Sequence, residues 1–276
     1  MLKTLAAAHY RSLLDFTAPL GQLNLITGNN GSGKSNFYRA LRVLAETAQG
    51  GVVRALAHEG GLHSALWAGP EHLSRAMKQG DVPVQGTPRQ HAVRLRLGFG
   101  TDDFGYSIAF GLPKTSSPAF MLDPEIKHEV IWGGPFYRPA SALVERQGPV
   151  VRSRQGRSWQ VVAQHLLGSD SLFSELADPS ALPEVYQFRE QIRQWRFYDY
   201  FRTDPQAAAR QPQIGTFTPV LHHDGHDLAA ALQTILEIGE ATVLRRAVDD
   251  AFPGCEVRIQ RQKNGWFQLQ FSQPGL

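Results

Sequence analysis

The chain has 276 residues, of which 42% are hydrophobic and 19% are charged. This composition excludes wholesale disorder and predicts a chain with a hydrophobic core. A single cysteine, Cys255, excludes an intrachain disulfide. The sequence shows neither a secretion signal nor an apolar run long enough to span a bilayer, so we expect a soluble, cytoplasmic protein that does not bind membranes.

The charge of the chain is weakly basic. The formal net charge is +3 at neutral pH and the sequence pI is about 9.1. Such a balance permits binding to a polyanion such as nucleic acid but does not require it. Charge therefore leaves open both nucleic-acid-binding proteins and ordinary soluble enzymes.

The first 50 residues are predicted to form a strand, a glycine-rich loop and a helix. Loose alternation over residues 2–10 predicts a first strand, and the apolar residues 23–27 predict a second strand that ends at Gly28. Apolar residues recur at helical spacing from Lys34 onward. Gly50-Gly51 is typical of a helix end and predicts where this helix stops.

The octet between the predicted strand and helix, residues 28–35, fits G-x-x-x-x-G-K-[ST] at every fixed position. Its glycines let backbone N–H groups point at phosphate oxygens, and the helix dipole attracts the same anion. Lys34 would bring a positive charge to the β- and γ-phosphates, and the Ser35 hydroxyl would bind Mg²⁺. The residues predicted to bind the nucleotide are Asn29, Asn30, Gly31, Ser32, Gly33, Lys34, Ser35 and Asn36.

Residues 91–162 are predicted to form several consecutive antiparallel strands. Apolar residues alternate with arginines over residues 91–99, and the turn at residues 101–105 leads into a partner strand, as in a β-hairpin. A further alternating stretch begins at Glu125, and another lies around the Gly148-Pro149 turn.

Residues 163–251 are predicted to be mainly helical. Pro183 begins a helix with an apolar stripe, and residues 226–252 form one long helix or two. The last segment, residues 252–276, carries Asn264-Gly265 between two alternating runs and is predicted to be a C-terminal hairpin.

The octet alone does not separate a GTPase from a kinase or an ATPase. The sequence has no Asn-Lys-x-Asp segment, which a GTPase would use to read guanine. The strands after the first helix are predicted to be antiparallel, whereas a small-molecule kinase would usually place parallel strands there. Both observations favour an ATPase.

Two motifs together resemble the amino-terminal lobe of RecF-like and SMC-like ABC-type ATPase heads. They are Tyr10-Arg11-Ser12 and the octet of residues 28–35, and a weaker likeness covers "FYDYFRTDP" and "VLHHDGHDLAAALQTI". The resemblance implies an α/β P-loop NTPase fold with an inserted antiparallel β region and a helical segment, in a single lobe over residues 1–276. It implies ATP and Mg²⁺ as cofactors and Arg11 as a further nucleotide-binding residue. The alternative for Arg11 is a surface salt bridge.

The resemblance also implies how such a head works. ATP binds between the two heads of a homodimer, and hydrolysis needs a signature motif and an apolar strand ending in Asp-Glu. This sequence contains neither, so no catalytic residue is identifiable; the nearest pair, Asp249-Asp250, falls in a predicted helix. We therefore expect a chain truncated before these motifs, which binds ATP but hydrolyses it negligibly alone.

When complete, such an ATPase is expected to act in DNA repair, DNA maintenance or phage defence, with DNA as a further partner. A non-hydrolysing nucleotide-gated clamp and a nucleic-acid-binding module are the alternatives. The glutamine that couples Mg²⁺ to the attacking water in related heads is not assigned, because Gln85, Gln155 and Gln164 all remain candidates.

Two further groups of residues have a functional and a structural interpretation. "HHDGHD", residues 222–227, resembles a metal site, but a turn with a polar side chain capping a helix near Asp227 is favoured. The aromatic cluster could stack on bases, but core packing is favoured. Its members are Trp195, Phe197, Tyr198, Tyr200 and Phe201.

Residues 138–157 form a strongly basic segment in which Glu145 is the only acid. A basic hairpin could lie along nucleic-acid phosphates, but a solvated hairpin face is favoured. The arginines concerned are Arg138, Arg146, Arg152, Arg154 and Arg157.

Overall fold

The structure is a computed structural model, and it describes residues 1–273 except 71, 85, 87–92, 114–117 and 200. The chain divides into two compact units, Met1–Trp195 and Arg196–Leu276. The single head lobe expected over residues 1–276 stays a prediction.

The first unit is built around one antiparallel sheet of eight strands. Its strands are β1 (Leu2–Tyr10), β2 (Leu13–Pro19), β3 (Leu95–Thr101), β4 (Phe104–Gly111), β5 (Glu125–Gly133), β6 (Ala142–Gln147), β7 (Val150–Gln155) and β8 (Ser158–Ala163). Their order in the sheet is β2-β1-β3-β4-β5-β6-β7-β8. Every neighbour pair except β1 with β3 is consecutive in the chain, so the sheet is largely a meander.

The strands predicted within residues 91–162 are confirmed where the structure describes them. Leu95, Leu97 and Phe99 are at most 2% exposed, whereas Arg96 lies on the exposed face of the same strand. The alternation read from the sequence is thus the alternation of the two sheet faces. These strands continue the β1–β2 hairpin, because β1 pairs with β2 on one side and with β3 on the other.

The strand predicted at residues 23–27 is wrong, because the second strand is β2. Residues 23–27 have no strand assignment, and Leu23 and Leu25 are 93% and 87% exposed. Both edges of β1 are already paired, and no other strand among the described residues lies alongside this segment. An apolar run without a pairing strand has no partner for its backbone hydrogen-bonding groups, so these groups need water and the segment stays on the surface.

Helices cover the sheet of the first unit. They are α1 (Lys34–Thr47), α2 (Val52–His58), α3 (Gly61–Ala65), α4 (Arg75–Gln79), α5 (Leu172–Glu175) and α6 (Pro183–Arg193). The predicted first helix is confirmed as α1, which contacts β1 and β3 and buries Phe37 and Leu44. The predicted start of α6 at Pro183 is confirmed as well.

A buried ion pair joins the middle of this sheet. Glu129 on β5 lies opposite Arg146 on β6, their side chains approach to 2.9 Å, and both are fully buried. The Tyr106 hydroxyl donates to Glu129 at 2.6 Å, and the Leu172 backbone N–H at the start of α5 donates to the same carboxylate at 3.2 Å. The pair therefore ties α5 to the sheet.

Arg146 does not belong to an exposed basic face, and that expectation is wrong. Along β6 the buried positions are Ala142, Val144 and Arg146, while Glu145 points to the opposite face. Strand periodicity thus places Arg146 in the core, where a guanidinium is stable only because Glu129 and backbone carbonyls satisfy it.

The second unit contains two helices and a small sheet. Its elements are β9 (Gln213–Ile214), α7 (Leu228–Ile238), α8 (Ala241–Ala251), β10 (Glu256–Arg261) and β11 (Trp266–Ser272). The sheet order is β10-β11-β9, and the predicted hairpin at Asn264-Gly265 is confirmed as β10–β11. Residues 226–252 contain two helices because the backbone becomes extended at Gly239. Asp249 and Asp250 lie in α8, as the helical pattern predicts.

Candidate functional site

The glycine-rich octet forms the turn that leads into α1. Gly33 occupies the N-cap position of α1 with φ 95°, a left-handed conformation that residues with a Cβ rarely adopt. A Cβ at this position would also collide with the Ser12 hydroxyl in the β1–β2 turn. Glycine is therefore required at Gly33 both by the backbone angle and by the close approach of the neighbouring turn.

Most backbone N–H groups of this loop have no acceptor among the residues that the structure describes. Ser32 N donates to Asn29 O at 3.2 Å, and the first donors inside α1 are Asn36 N and Phe37 N, both to Gly33 O. Within the described part of the chain, no acceptor is found for the backbone N–H groups of Asn30, Gly31, Gly33, Lys34 and Ser35. Unused donors at the start of a 14-residue helix form a site suited to an anion.

Lys34 folds back over the same loop. Its Nζ donates to Gly28 O at 2.6 Å and to Asn29 O at 2.7 Å. The ammonium group is thus held beside the loop by two carbonyl oxygens, which an anionic ligand could replace. Lys34 supplies positive charge where the unused N–H groups supply hydrogen-bond donors.

Ser35 and Asn36 occupy the first turn of α1 and differ in their contacts. Ser35 is exposed, so its hydroxyl is accessible to a cation bound beside a phosphate group, and its chemistry fits Mg²⁺. Asn36 donates from Nδ2 to Ser12 Oγ at 2.9 Å, which ties α1 to the β1–β2 turn. The predicted contact of Asn36 with the nucleotide stays a prediction.

Arg11 lies in the β1–β2 turn with φ 48° and is paired with a carboxylate. Its Nε donates to Glu59 Oε2 at 2.8 Å and its Nη2 to Glu59 O at 3.1 Å. The Tyr10 hydroxyl donates to the same carboxylate at 2.7 Å. Burial, reinforced by this hydrogen bond, raises the pKa of Tyr10 well above its usual range, so the hydroxyl remains a donor.

Arg11 thus forms a salt bridge, the alternative to nucleotide binding, although the pair is partly buried rather than on the open surface. The side chains of Arg11 and Glu59 are 21% and 13% exposed. In this arrangement Arg11 holds the end of α2 to the β1–β2 turn. Its contact with a bound nucleotide stays a prediction.

Ser12 is the member of the Tyr10-Arg11-Ser12 motif that reaches the loop. Its hydroxyl accepts the Asn36 hydrogen bond and fills the space beside Gly33. Spacing in the sequence does not show which residue of a tight turn faces a loop, so sequence analysis misses this role. The only signal for this role in the sequence is that Ser12 directly follows Arg11 in the motif Tyr10-Arg11-Ser12.

The basic segment of residues 138–157 presents fewer free charges than its composition suggests. Arg152 donates to Glu145 Oε2 at 2.7 Å, and Arg154 donates to Ala140 O at 2.7 Å. Both guanidinium groups also lie over the Trp159 ring, at 5.0 and 5.6 Å from its centroid. These contacts agree with the solvated-face interpretation of the hairpin and leave the nucleic-acid interpretation without support.

The aromatic cluster contributes to packing where it is described. Trp195 packs edge-on against Phe99 with ring centroids 4.8 Å apart, and Tyr198 donates its hydroxyl to Leu221 O at 3.1 Å. Tyr200, the candidate Gln85 and the first residues of the 91–162 region, 91 and 92, lie outside the described residues.

The histidine-rich segment, residues 222–227, forms a turn, as predicted. The prediction that a side chain of this turn caps the following helix is wrong. Asp227 is the N-cap residue of α7 without making a side-chain bond to the helix. Its Oδ1 instead accepts from the backbone N–H of His222 at 2.9 Å. The side chain therefore closes the turn on its N-terminal side.

No helix among the described residues is long and apolar enough to cross a membrane.

A family model described as "AAA domain, putative AbiEii toxin, Type IV TA system" matches residues 23–144, which include the glycine-rich loop, α1 and the strands β3 to β5. No curated protein matches the chain. The family match does not extend to the RecF-like or SMC-like class. Residues 23–144 are therefore similar to an AAA-type P-loop ATPase domain, a family in which ATP is generally bound with Mg²⁺.

Proposed function

We propose that this chain binds ATP with Mg²⁺ at residues 29–36, and that the complete ATPase hydrolyses ATP as a homodimer, as in RecF-like and SMC-like heads. One observation carries the proposal. The backbone N–H groups without acceptors at the start of α1 share their loop with the Lys34 ammonium. A glycine-rich loop in the motif G-x-x-x-x-G-K-[ST] with these features is suited to a triphosphate.

Each loop residue has a role in this proposal. The amides of residues 30–35 hydrogen-bond to phosphate oxygens, and Lys34 exchanges its loop carbonyls for the β- and γ-phosphates. The Ser35 hydroxyl holds Mg²⁺, which neutralises charge on the same phosphates when bound. Asn29 and Asn36 flank the site, and Arg11 approaches the nucleotide if its pairing with Glu59 opens.

The proposal separates binding from turnover. Hydrolysis requires a carboxylate that orients the attacking water, and the sequence has no Asp-Glu pair after an apolar strand. The closest candidates, Asp249 and Asp250, lie in α8. We therefore expect the 276-residue chain to bind ATP by itself while releasing phosphate only at background rate.

The cellular role is proposed from the family description. That description names a toxin of a type IV toxin–antitoxin system, which favours phage defence over DNA repair and maintenance. DNA as a partner and a homodimer remain parts of the proposal that follow from the resemblance to RecF-like and SMC-like heads. A cytoplasmic location is proposed from the single cysteine and from a sequence without a secretion signal.

The test is calorimetric titration of the full chain with ATP in the presence of Mg²⁺. Charge-assisted hydrogen bonds contribute about 1.5–3 kcal/mol, so Lys34→Ala should weaken ATP binding by at least about tenfold. Lys78→Ala is the matched control, because it removes the same charge from an exposed position on α4. It should leave the ATP affinity unchanged.

Equal ATP affinity in the wild-type chain and in Lys34→Ala would contradict the proposed site.

Measurements of phosphate release and sedimentation then distinguish the functional alternatives. Dimerisation that depends on ATP without phosphate release favours the nucleotide-gated clamp, whereas rapid Lys34-dependent phosphate release by this chain would show that its hydrolytic residues have been missed.

A further inference from the structure

Three side chains of the turn between residues 222 and 227 converge on one point of the second unit. His222 Nδ1 and His226 Nδ1 each donate to Asp224 Oδ1 at 2.7 Å. One ligand atom from each of the three residues lies within 4.8 Å of the others. Two imidazoles and a carboxylate are a common set of ligands for divalent transition metals.

The backbone of the turn fixes this arrangement. Asp227 Oδ1 accepts from His222 N at 2.9 Å, and Asp224 Oδ1 accepts from His226 N at 3.0 Å. Gly225 N donates to His222 O at 3.0 Å. These bonds tie the positions of the three side chains to one another, so the convergence does not depend on side-chain rotamers alone.

Gly225 adds a steric constraint from outside the turn. It is buried, has φ 72°, and a Cβ at this position would overlap the ring of Phe201. The turn is therefore seated against an aromatic side chain of the same unit. A turn that is both hydrogen-bonded and packed presents its ligands with little conformational entropy left to lose.

The ligand spacing is close to what a metal ion requires. With metal–ligand distances of roughly 2.0–2.1 Å, tetrahedral geometry separates ligand atoms by about 3.3 Å. The two N–O distances of 2.7 Å are hydrogen-bonding distances and must open by roughly 0.6 Å to admit the ion. The two imidazole nitrogens lie within 4.8 Å of each other and must take up the same tetrahedral spacing. Each imidazole would then bind through Nδ1 and carry its proton on Nε2.

We propose that His222, Asp224 and His226 form a binding site for a divalent transition metal ion of the zinc class. The two imidazole nitrogens favour such an ion over Mg²⁺ or Ca²⁺, which take oxygen ligands. The side chains of the three residues are 41% to 46% exposed, so the ion can enter from solvent. Water completes its coordination, because the protein supplies only three ligands.

His223 provides a matched control within the same turn. Its ring stacks on that of His222, with centroids 4.0 Å apart, but its nitrogens are not part of the converging group. It is exposed like His222. Replacing it removes a histidine from the same loop while leaving the three proposed ligands in place.

The test is calorimetric titration of the full chain with Zn²⁺, after treatment with a chelator and without nucleotide. We expect one saturable site in the wild-type chain. Asp224→Asn and His226→Ala should each weaken it by about tenfold or more, whereas His223→Ala should change the affinity by less than about threefold, because it removes no ligand. Asp224→Asn keeps an oxygen that can accept from His226 N, so this variant is expected to keep the turn.

Two outcomes would overturn the assignment. One is the absence of saturable Zn²⁺ binding by the wild-type chain. The other is Zn²⁺ binding that survives both Asp224→Asn and His226→Ala. Circular dichroism of each variant distinguishes loss of a ligand from loss of the fold, and Co²⁺ absorption of the wild-type chain gives an independent readout of imidazole coordination.

Discussion

The loop of residues 28–35 and the turn of residues 222–227 are both shaped by a glycine at positive φ, Gly33 and Gly225, but they offer opposite chemistry. The loop presents backbone N–H groups and one ammonium, which suit an anion. The turn presents two imidazoles and a carboxylate, which suit a cation. One site is therefore made mainly by the main chain and the other by side chains.

This difference explains why the sequence favours a binding role for the loop but, for residues 222–227, favours a turn over a metal site. A main-chain site needs glycines and a lysine at fixed spacing, because spacing sets the path of the backbone. A side-chain site depends on where two imidazole rings and one carboxylate point. Their directions depend on the turn and on the Phe201 ring that packs against Gly225. The following changes test how far the comparison holds.

The largest effect is expected at Gly33. In Gly33→Ala the Cβ would meet the Ser12 hydroxyl at an unfavourable backbone angle, so the loop must rearrange. Strain of this kind costs on the order of 1–3 kcal/mol, and a loss of binding energy of the same size would lower ATP affinity by about 5- to 150-fold. Titration calorimetry and thermal unfolding measure the two effects.

Gly31→Ala is the control for this change. Gly31 also has positive φ, but a Cβ there would meet nothing within 4 Å. The Gly31→Ala substitution should therefore lower ATP affinity less than Gly33→Ala does. If both variants lose the same affinity, the contact between Ser12 and the loop has no role in shaping the site.

A smaller effect is expected at Gly225. In Gly225→Ala the Cβ would overlap the Phe201 ring, which should displace the turn and weaken Zn²⁺ binding by about tenfold. Gly265→Ala is the matched control in the same unit, since Gly265 has positive φ but an open surrounding. Zn²⁺ titration of both variants tests this. If the two variants bind Zn²⁺ with the same affinity, the proposed packing of the turn against Phe201 is contradicted.

Ser12→Ala should have a moderate effect on stability and little on ligand binding. It removes the acceptor of the Asn36 side chain, so we expect the free energy of unfolding to fall by about 0.5–1.5 kcal/mol. Denaturant unfolding measures this. An unchanged unfolding free energy would mean that water replaces the hydroxyl as the partner of Asn36.

The smallest effects are expected when a substitution at one site is tested for its effect on ligand binding at the other site. The loop belongs to the first unit and the turn to the second, and each site is built from residues of its own unit. Lys34→Ala should therefore leave Zn²⁺ affinity unchanged, and His226→Ala should leave ATP affinity unchanged, each measured by titration. A loss in either experiment would reveal coupling between the sites.

Much of the local structure follows from patterns in the sequence. Alternation at Leu95, Leu97 and Phe99 predicts the hairpin β3–β4, helical spacing predicts α1, and Asn264-Gly265 predicts β10–β11. Each pattern reflects either the repeat of a strand or helix or the backbone angles of a turn. Residues close together in the sequence are enough to determine these features. The same reasoning fails at residues 23–27, where the pattern of a strand is present but no described strand lies alongside to pair with it.

Contacts between distant residues are not visible in such patterns. Arg146 appears as one of several arginines in a basic segment, yet it is buried against Glu129. Its position is predictable from the alternation of β6, but its partner is not, because Glu129 is supplied by a neighbouring strand. Arg11 is similar, since its pairing with Glu59 depends on how α2 packs against the β1–β2 turn.

By itself, the sequence determined that this protein carries a phosphate-binding type of loop, since glycine spacing and Lys34 specify the backbone path and the charge locally. The tertiary structure alone decided which side chains support that loop and that His222, Asp224 and His226 meet. The physical reason is that a loop built from its own main chain needs only short-range order. Convergent side chains need a turn to be held in place by packing against residues elsewhere in the chain.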